Sequence, residues 1–285
     1  MLSNYQKSKE KKKNKIINCM NIGNDQPFFL IAGPCQIESE QHAFKMAREI
    51  KKVSDHLGIE LFYKSSFDKA NRTSLTGKRG AGLEQGMEIF DKLKAEMPDI
   101  KIITDIHTEQ QAEIVAPHVD ALQIPAFLCR QTDLLLAAGE TGKYINIKKG
   151  QFLAPWDMKN VAEKVASTGN QNIWLCDRGT SFGYNTLVSD MRGLYEMKKT
   201  GYPVIIDATH SCQQPGGQGT SSGGNREHIP VIASAAVAVG VAGVFIEVHD
   251  DPDNAASDGP NNLHLKHLHS LLVKLQQHDA ISKSV

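Results

Sequence analysis

Apolar residues recur along this chain in short runs rich in Ile, Val, Leu and Phe, separated by amphipathic stretches long enough for helices. The runs predict strands at Phe28–Ala32, Leu61–Lys64, Lys101–Ile106, Ala121–Ile124, Tyr144–Lys148, Ile173–Cys176, Pro203–Ala208 and Val244–Val248. Between and after them, 3.6-residue periodicity predicts helices over Ser39–Leu57, Leu83–Met97, Glu109–Ala116, Thr132–Thr141, Pro155–Ser167, Leu187–Thr200, Ile229–Val239 and Leu263–His278. Eight strands alternating with eight helices is the pattern of an α/β protein with a (β/α)8 TIM barrel. A doubly wound open sheet is the alternative, disfavoured because no Gly-x-Gly-x-x-Gly follows the first strand. Upstream, Lys15 to Ile22 reads as a short strand and Gly23-Asn24-Asp25 as a turn. The expected organisation is a flexible basic tail over 1–15, an N-terminal β-hairpin over 16–27 and one barrel domain over 28–285.

Nearly every predicted strand ends in polar chemistry. Cys35 and Gln36 follow the first, Lys64 and Ser66 the second, Asp105 and His107 the third and Gln123 the fourth. Lys148 and Gln151 follow the fifth, Arg178 the sixth, Asp207 and His210 the seventh, Glu247 and His249 the eighth. A single polar strand end is often only a turn or a helix cap. In a barrel, however, all such ends converge on one mouth, where catalytic residues sit.

Composition narrows the reading. With 32 basic and 32 acidic residues the formal net charge is zero, which argues against a general nucleic-acid or acidic-membrane binder. No run approaches the ~18 apolar residues of a membrane span, and the lysine-rich start lacks a secretory signal pattern. Five cysteines (Cys19, Cys35, Cys129, Cys176 and Cys212) in no CxxC pairing suit a reduced cytoplasmic setting.

The run from Lys64 through Ser66 and Lys69 to Asn71 and Arg72 leaves a strand end and presents cations and small polar groups, a combination suited to an anion. Strand alternation puts Asn146 with Lys148, and Cys176 with Arg178, on shared faces. Lys64, Lys69, Arg72, Lys148 and Arg178 then gather at the mouth, more positive charge than one phosphate calls for. The expected substrates carry several anionic groups. A salt bridge from Arg178 to Asp177 or Asp207 is the structural alternative for that residue.

Cys35, His210, Glu247 and Asp258 fall at the ends of the first, seventh and eighth strands, which are neighbours in a closed barrel. A thiolate, an imidazole and two carboxylates suit a divalent ion such as Zn, Fe or Mn. A small buried hydrophobe is the competing reading of Cys35. His107 and His249 are open to mistake for ligands, and His42 reads as a helix-surface residue. The glycine-rich loop from Gly216 to Gly224 reads equally as a phosphate cradle or a mobile lid.

These residues carry a family resemblance. Gly33-Pro34-Cys35, the run Lys64 to Arg72, Ile103-Thr104-Asp105-Ile106-His107, Gln123 to Leu128, Asn146-Ile147-Lys148-Lys149, Cys176-Asp177-Arg178-Gly179 and Asp207-Ala208-Thr209-His210 are similar to the 3-deoxy-D-manno-octulosonate 8-phosphate synthases. The likeness runs from about Pro27 to about Leu272. Lys69-Ala70-Asn71-Arg72 is its most telling part, because the sister heptulosonate synthases have a Lys-Pro-Arg type motif there.

The resemblance implies a homotetrameric barrel that condenses phosphoenolpyruvate with arabinose 5-phosphate and water, releasing inorganic phosphate, for Kdo and lipopolysaccharide synthesis. Lys64, Ser66, Lys69, Lys148, Gln151 and Arg178 resemble the family's phosphoenolpyruvate ligands, and Asn71 and Arg72 its pentose-phosphate ligands. Arg130 is the candidate to reach a neighbouring subunit's phosphate site. Cysteine at position 35, where metal-independent members have asparagine, implies the metal-dependent subclass. Lys69, Asp105, Lys148 and His210 are the expected catalytic residues. The rivals are a Schiff base on Lys64 or Lys69, the heptulosonate reaction with erythrose 4-phosphate, and a non-catalytic sugar-phosphate sensor.

Overall fold

In the computed structural model, which describes residues 21–72, 74–216 and 223–284, eight parallel strands close on themselves. In chain order they are β1 (Phe29–Gly33), β2 (Leu61–Lys64), β3 (Lys101–Asp105), β4 (Ala121–Ile124), β5 (Tyr144–Lys148), β6 (Ile173–Asp177), β7 (Val204–Asp207) and β8 (Gly243–His249). Closure comes from β1 pairing with β8, Phe29 opposite Gly243 and Gly33 opposite Glu247. The expected (β/α)8 barrel is borne out.

The helices are α1 (Glu40–Leu57), α2 (Leu83–Glu96), α3 (Glu109–Val115), α4 (Thr132–Glu140), α5 (Met158–Ala166), α6 (Met191–Lys198), α7 (Ile229–Ala238) and α8 (Leu268–Ser282). The first illustrates their local logic. Ser39 accepts a hydrogen bond from His42 N and so caps the N-terminus. Ala43, Met46, Ala47 and Ile50 form the buried stripe, and Gly58, at φ 65°, ends the helix in the left-handed region.

Strand alternation divides the core into two layers. Outward residues such as Leu30, Tyr63, Ile102 and Leu122 pack under the helices. Inward ones at the N-terminal end form an aromatic plug, with Phe29, Phe62 and Tyr144 each within 4.8–4.9 Å of Trp174 or, for the Phe29–Phe62 pair, 5.8 Å apart. One step further along each strand the inward positions turn polar: Lys64, Asp105, Gln123, Lys148, Asp207 and Glu247. The plug therefore seals one end of the barrel and leaves the other for chemistry. Gly33 lets β1 approach β2 there, since a Cβ would lie 1.8 Å from the Lys64 carbonyl oxygen.

Three expectations change. Leu187 and Val188 form a short antiparallel pair with Thr180 and Ser181, because Asp190 caps the following helix and delays it to Met191. Leu263 and His264 pair with Val248 and His249 as a short strand, and the last helix starts at Leu268. Residues 23–26 form a turn closed by Gln26 N donating to Gly23 O, and residues 21–27 contain no strand. The other half of the expected hairpin, the tail over 1–15, and most of the glycine-rich loop lie outside the described residues. Among the described residues, no helix is long and apolar enough to cross a membrane.

Candidate active site

A cleft of about 460 Å³ opens at the C-terminal ends of the strands. Lys64, Lys69, Asn71, Arg72, Asp105, Lys148, Gln151, Arg178, His210 and Asp258 all line it. Ser66, Cys35 and Glu247 are buried and touch those lining groups directly. Arg130 is exposed and outside the cleft.

The floor is a chain of hydrogen bonds crossing four strands. Asn146 Nδ2 donates to Gln123 Oε1 at 2.9 Å, and Gln123 Nε2 to Asp105 Oδ1 at 2.9 Å. Ser66 Oγ donates to Asp105 Oδ2 at 2.8 Å and accepts from Lys64 Nζ at 2.8 Å. Lys64 Nζ then stands 3.5 Å from Asp105 and 3.6 Å from Glu247. Burial raises the Asp105 carboxyl, but the ammonium groups of Lys64 and Lys69 outweigh it and hold it far below the usual aspartate range. Asp105 is therefore a permanent anion that orients its neighbours.

Lys69 lies 4.0 Å from Asp105 and 3.9 Å from Glu247. Burial works to lower its ammonium pKa, but Cys35, Asp105, Glu247 and Asp258 more than reverse this, and the group is held protonated. Arg178 is buried, donates from Nη2 to Gln213 Oε1 at 2.6 Å, and leaves Nη1 without a partner among the described residues. Its expected alternative, a salt bridge to Asp177 or Asp207, does not form; Asp177 accepts instead from Gly179 N. Burial pushes the Arg178 guanidinium down, yet an arginine stays charged. Arg72 is anchored by Lys78 O at 2.9 Å, Gln36 Oε1 at 3.1 Å and Ala256 O at 3.3 Å, which stands it over the outer part of the cleft.

On the opposite wall Asp207 ties three elements together. It pairs with Lys148, accepts from His210 Nδ1 at 2.7 Å, and accepts from Thr209 Oγ1 and His210 N at 2.9 Å. Lys148 Nζ also lies 3.3 Å from the centre of the Phe245 ring. Burial raises the Asp207 carboxyl, and His210 and Lys148 reverse this and hold it well below the usual range.

Cys35, Glu247 and Asp258 bring one donor atom each within 4.8 Å of one another. His210 Nε2 joins them at 3.6 Å from Glu247 Oε1 and 3.8 Å from Asp258 Oδ2. Both Glu247 carboxylate oxygens are buried without a hydrogen bond from any described residue. Burial pushes the Cys35 thiol well up, with Glu247 adding to it. Lys64 and Lys69 offset part of this negative charge, and a bound cation would reverse the thiol's preference. The donor chemistry fits a borderline divalent ion. Cys176, buried inside the barrel, belongs to no such cluster of donor atoms among the described residues.

A sequence model of the DAHP synthetase I family matches residues 7–284. A 2-dehydro-3-deoxyphosphooctonate aldolase of Bartonella henselae is 61% identical over 272 residues, 95% of this chain and 97% of that protein. A protein of the same name from Agrobacterium fabrum is 64% identical over 261 residues, 92% of each chain, and one from Brucella anthropi 61% over 269. The chain belongs to the DAHP synthetase I family. The resemblance drawn from the motifs is borne out, and membership reaches nearer the N-terminus than the motifs did, to residue 7 rather than to about Pro27.

Asp207 and Gln36 were expected at the mouth as polar strand ends but without a role of their own, and Gln213 was not singled out at all. Asp207 stands three residues before His210 at a strand end, a spacing that signals a carboxylate holding an imidazole. Gln213 and Gln36 support Arg178 and Arg72 across the chain, pairings that no local pattern marks. His42, expected on a helix surface, is instead half-buried against His249 and Asp250.

Proposed function

We propose that this cleft condenses phosphoenolpyruvate with D-arabinose 5-phosphate and water, giving 3-deoxy-D-manno-octulosonate 8-phosphate and inorganic phosphate. The observation that carries it is the gathering of Lys64, Lys69, Lys148 and Arg178 at one mouth, beside the donor set of Cys35, His210, Glu247 and Asp258. The similar proteins of Bartonella henselae and Agrobacterium fabrum bear the name 2-dehydro-3-deoxyphosphooctonate aldolase, which supports the reading.

Lys69, Lys148 and Arg178 hold the carboxylate and phosphate of phosphoenolpyruvate, with Ser66 and Gln151 fixing its orientation. Asn71 and Arg72 hold the pentose phosphate at the outer end, joined by Arg130 of a neighbouring subunit in a homotetramer. The enol carbon C3 attacks the open-chain aldehyde, water adds at C2, and the tetrahedral product expels phosphate with C–O cleavage. Preorganised cations offset the charge that builds on the phosphate and alkoxide oxygens. His210 keeps its Nδ1 proton on Asp207, so its Nε2 lone pair faces Glu247 and Asp258.

Cys35, His210, Glu247 and Asp258 would hold a divalent ion of the Zn, Fe or Mn type. When bound, such an ion supplies Lewis-acid polarisation. A protonated Lys69 argues against its acting as a Schiff-base nucleophile. The setting is cytoplasmic, where both phosphorylated substrates are found and an unpaired Cys35 stays reduced.

The test is phosphate release from phosphoenolpyruvate with arabinose 5-phosphate against erythrose 4-phosphate, with borohydride trapping alongside. Preference for the pentose without a trapped adduct is expected. Preference for the tetrose would select the heptulosonate reaction, and binding without phosphate release would select a sensor.

A further inference from the structure

The structure assigns a second divalent transition-metal site to Glu38, His42 and His249, away from the mouth. Glu38 follows β1, His42 lies in the first turn of α1, and His249 ends β8. None of the three lines the active-site cleft; Glu38 borders an adjoining recess of about 300 Å³, which shares Lys78 and Ala256 with the cleft. One donor atom from each falls within 4.8 Å of the others. The two imidazoles are in contact, ring centres 4.6 Å apart. His249 Nε2 is 3.2 Å from Glu38 Oε1.

His42 is prepared for ligation. Its Nε2 lies 3.0 Å from Asp250 Oδ1, while its Nδ1 is buried with no hydrogen-bond partner among the described residues. Asp250, which also meets Lys45 Nζ at 2.5 Å, accepts the Nε2 proton and leaves the Nδ1 lone pair free. His249 reaches the same state by moving its one ring proton from Nε2 to Nδ1, which lies 3.3 Å from Asp250 Oδ1. That shift gives up the bond from Asp251 N to His249 Nδ1. Two imidazoles and a carboxylate without sulfur select Zn²⁺, Co²⁺ or Ni²⁺ over Mg²⁺ or Ca²⁺.

The placement gives the site a consequence. Glu38 lies three residues after Cys35, and its Oε1 accepts from Ala256 N at 2.8 Å, two residues before Asp258. An ion here ties together the two segments that carry Cys35 and Asp258 to the mouth.

The test uses the full chain, stripped by chelation and titrated with Co²⁺ alone. Two equivalents per chain are expected, one with a near-ultraviolet thiolate charge-transfer band from Cys35 and one with ligand-field bands only. His42→Gln removes the second and keeps the charge-transfer band; Cys35→Ser does the reverse. Glu38→Gln, a change at an exposed position, repeats the first result should His42→Gln not fold. Uptake of the charge-transfer equivalent alone overturns the proposal, as does a second equivalent surviving both His42→Gln and Glu38→Gln. A missing charge-transfer band would instead count against the metal at the mouth, leaving the outer site standing.

Discussion

His210 Nδ1 lies 2.7 Å from Asp207 Oδ2, the oxygen that also pairs with Lys148. One buried carboxylate thus sets the direction of the His210 imidazole and neutralises the Lys148 ammonium. The two halves of the cleft are mechanically joined at this atom.

Asp207→Asn should therefore damage both halves together. Lys148 loses its buried counter-charge, at a cost of roughly 3–5 kcal/mol in stability. His210 loses the partner that fixes its tautomer, which should weaken divalent-ion affinity about 10- to 100-fold. Urea unfolding and a Mn²⁺ titration measure the two effects. An ion affinity unchanged in a folded variant would contradict the coupling.

Arg72→Ala removes a guanidinium anchored by Gln36 and Ala256 over the outer cleft. Loss of a charge-assisted phosphate contact of about 1.5–3 kcal/mol should lower kcat/KM for the aldose phosphate by about 10- to 100-fold. Use of phosphoenolpyruvate should change far less. Initial rates with each substrate varied in turn make the comparison, and equal losses would remove Arg72 from the pentose-phosphate site.

Exhaustive chelation should abolish phosphate release, and added Mn²⁺, Fe²⁺ or Zn²⁺ should restore it. Cys35→Ser replaces a soft thiolate with a hard hydroxyl, so rescue should then demand much more of any added ion and least favour Zn²⁺. Activity indifferent to chelation would return Cys35 to a packing role.

Acid should destabilise the fold in a definite window. The native Asp105 and Asp207 carboxyls sit far below the ~3.9 of an unfolded aspartate. Near pH 3 the unfolded chain binds more protons than the native one, so stability falls as pH falls. Their contribution is complete above about pH 5 and drains away below about pH 4. Melting temperatures of the ion-free chain from pH 7 to pH 3 should show this fall, and Asp105→Asn should make it shallower. A melting temperature level to pH 3 would contradict the ion-pair account.

Sequence alone determined the barrel and most of the mouth. Eight short apolar runs with polar ends leave few other ways to bury a core, and strand alternation then sends Lys64, Asp105, Lys148 and Glu247 inward together. The four-donor set was legible because β7, β8 and β1 must be neighbours once the barrel closes. Tertiary structure decided what depends on contacts between distant segments: Gln213 supporting Arg178, Gln36 supporting Arg72, and Asp207 serving two masters. It also moved His42 from an expected helix surface to a contact with His249, 207 positions away. A hydrophobic pattern specifies which face of an element is buried. It carries no information about which polar side chain from another element will meet a given one there, because that depends on register, closure and loop path.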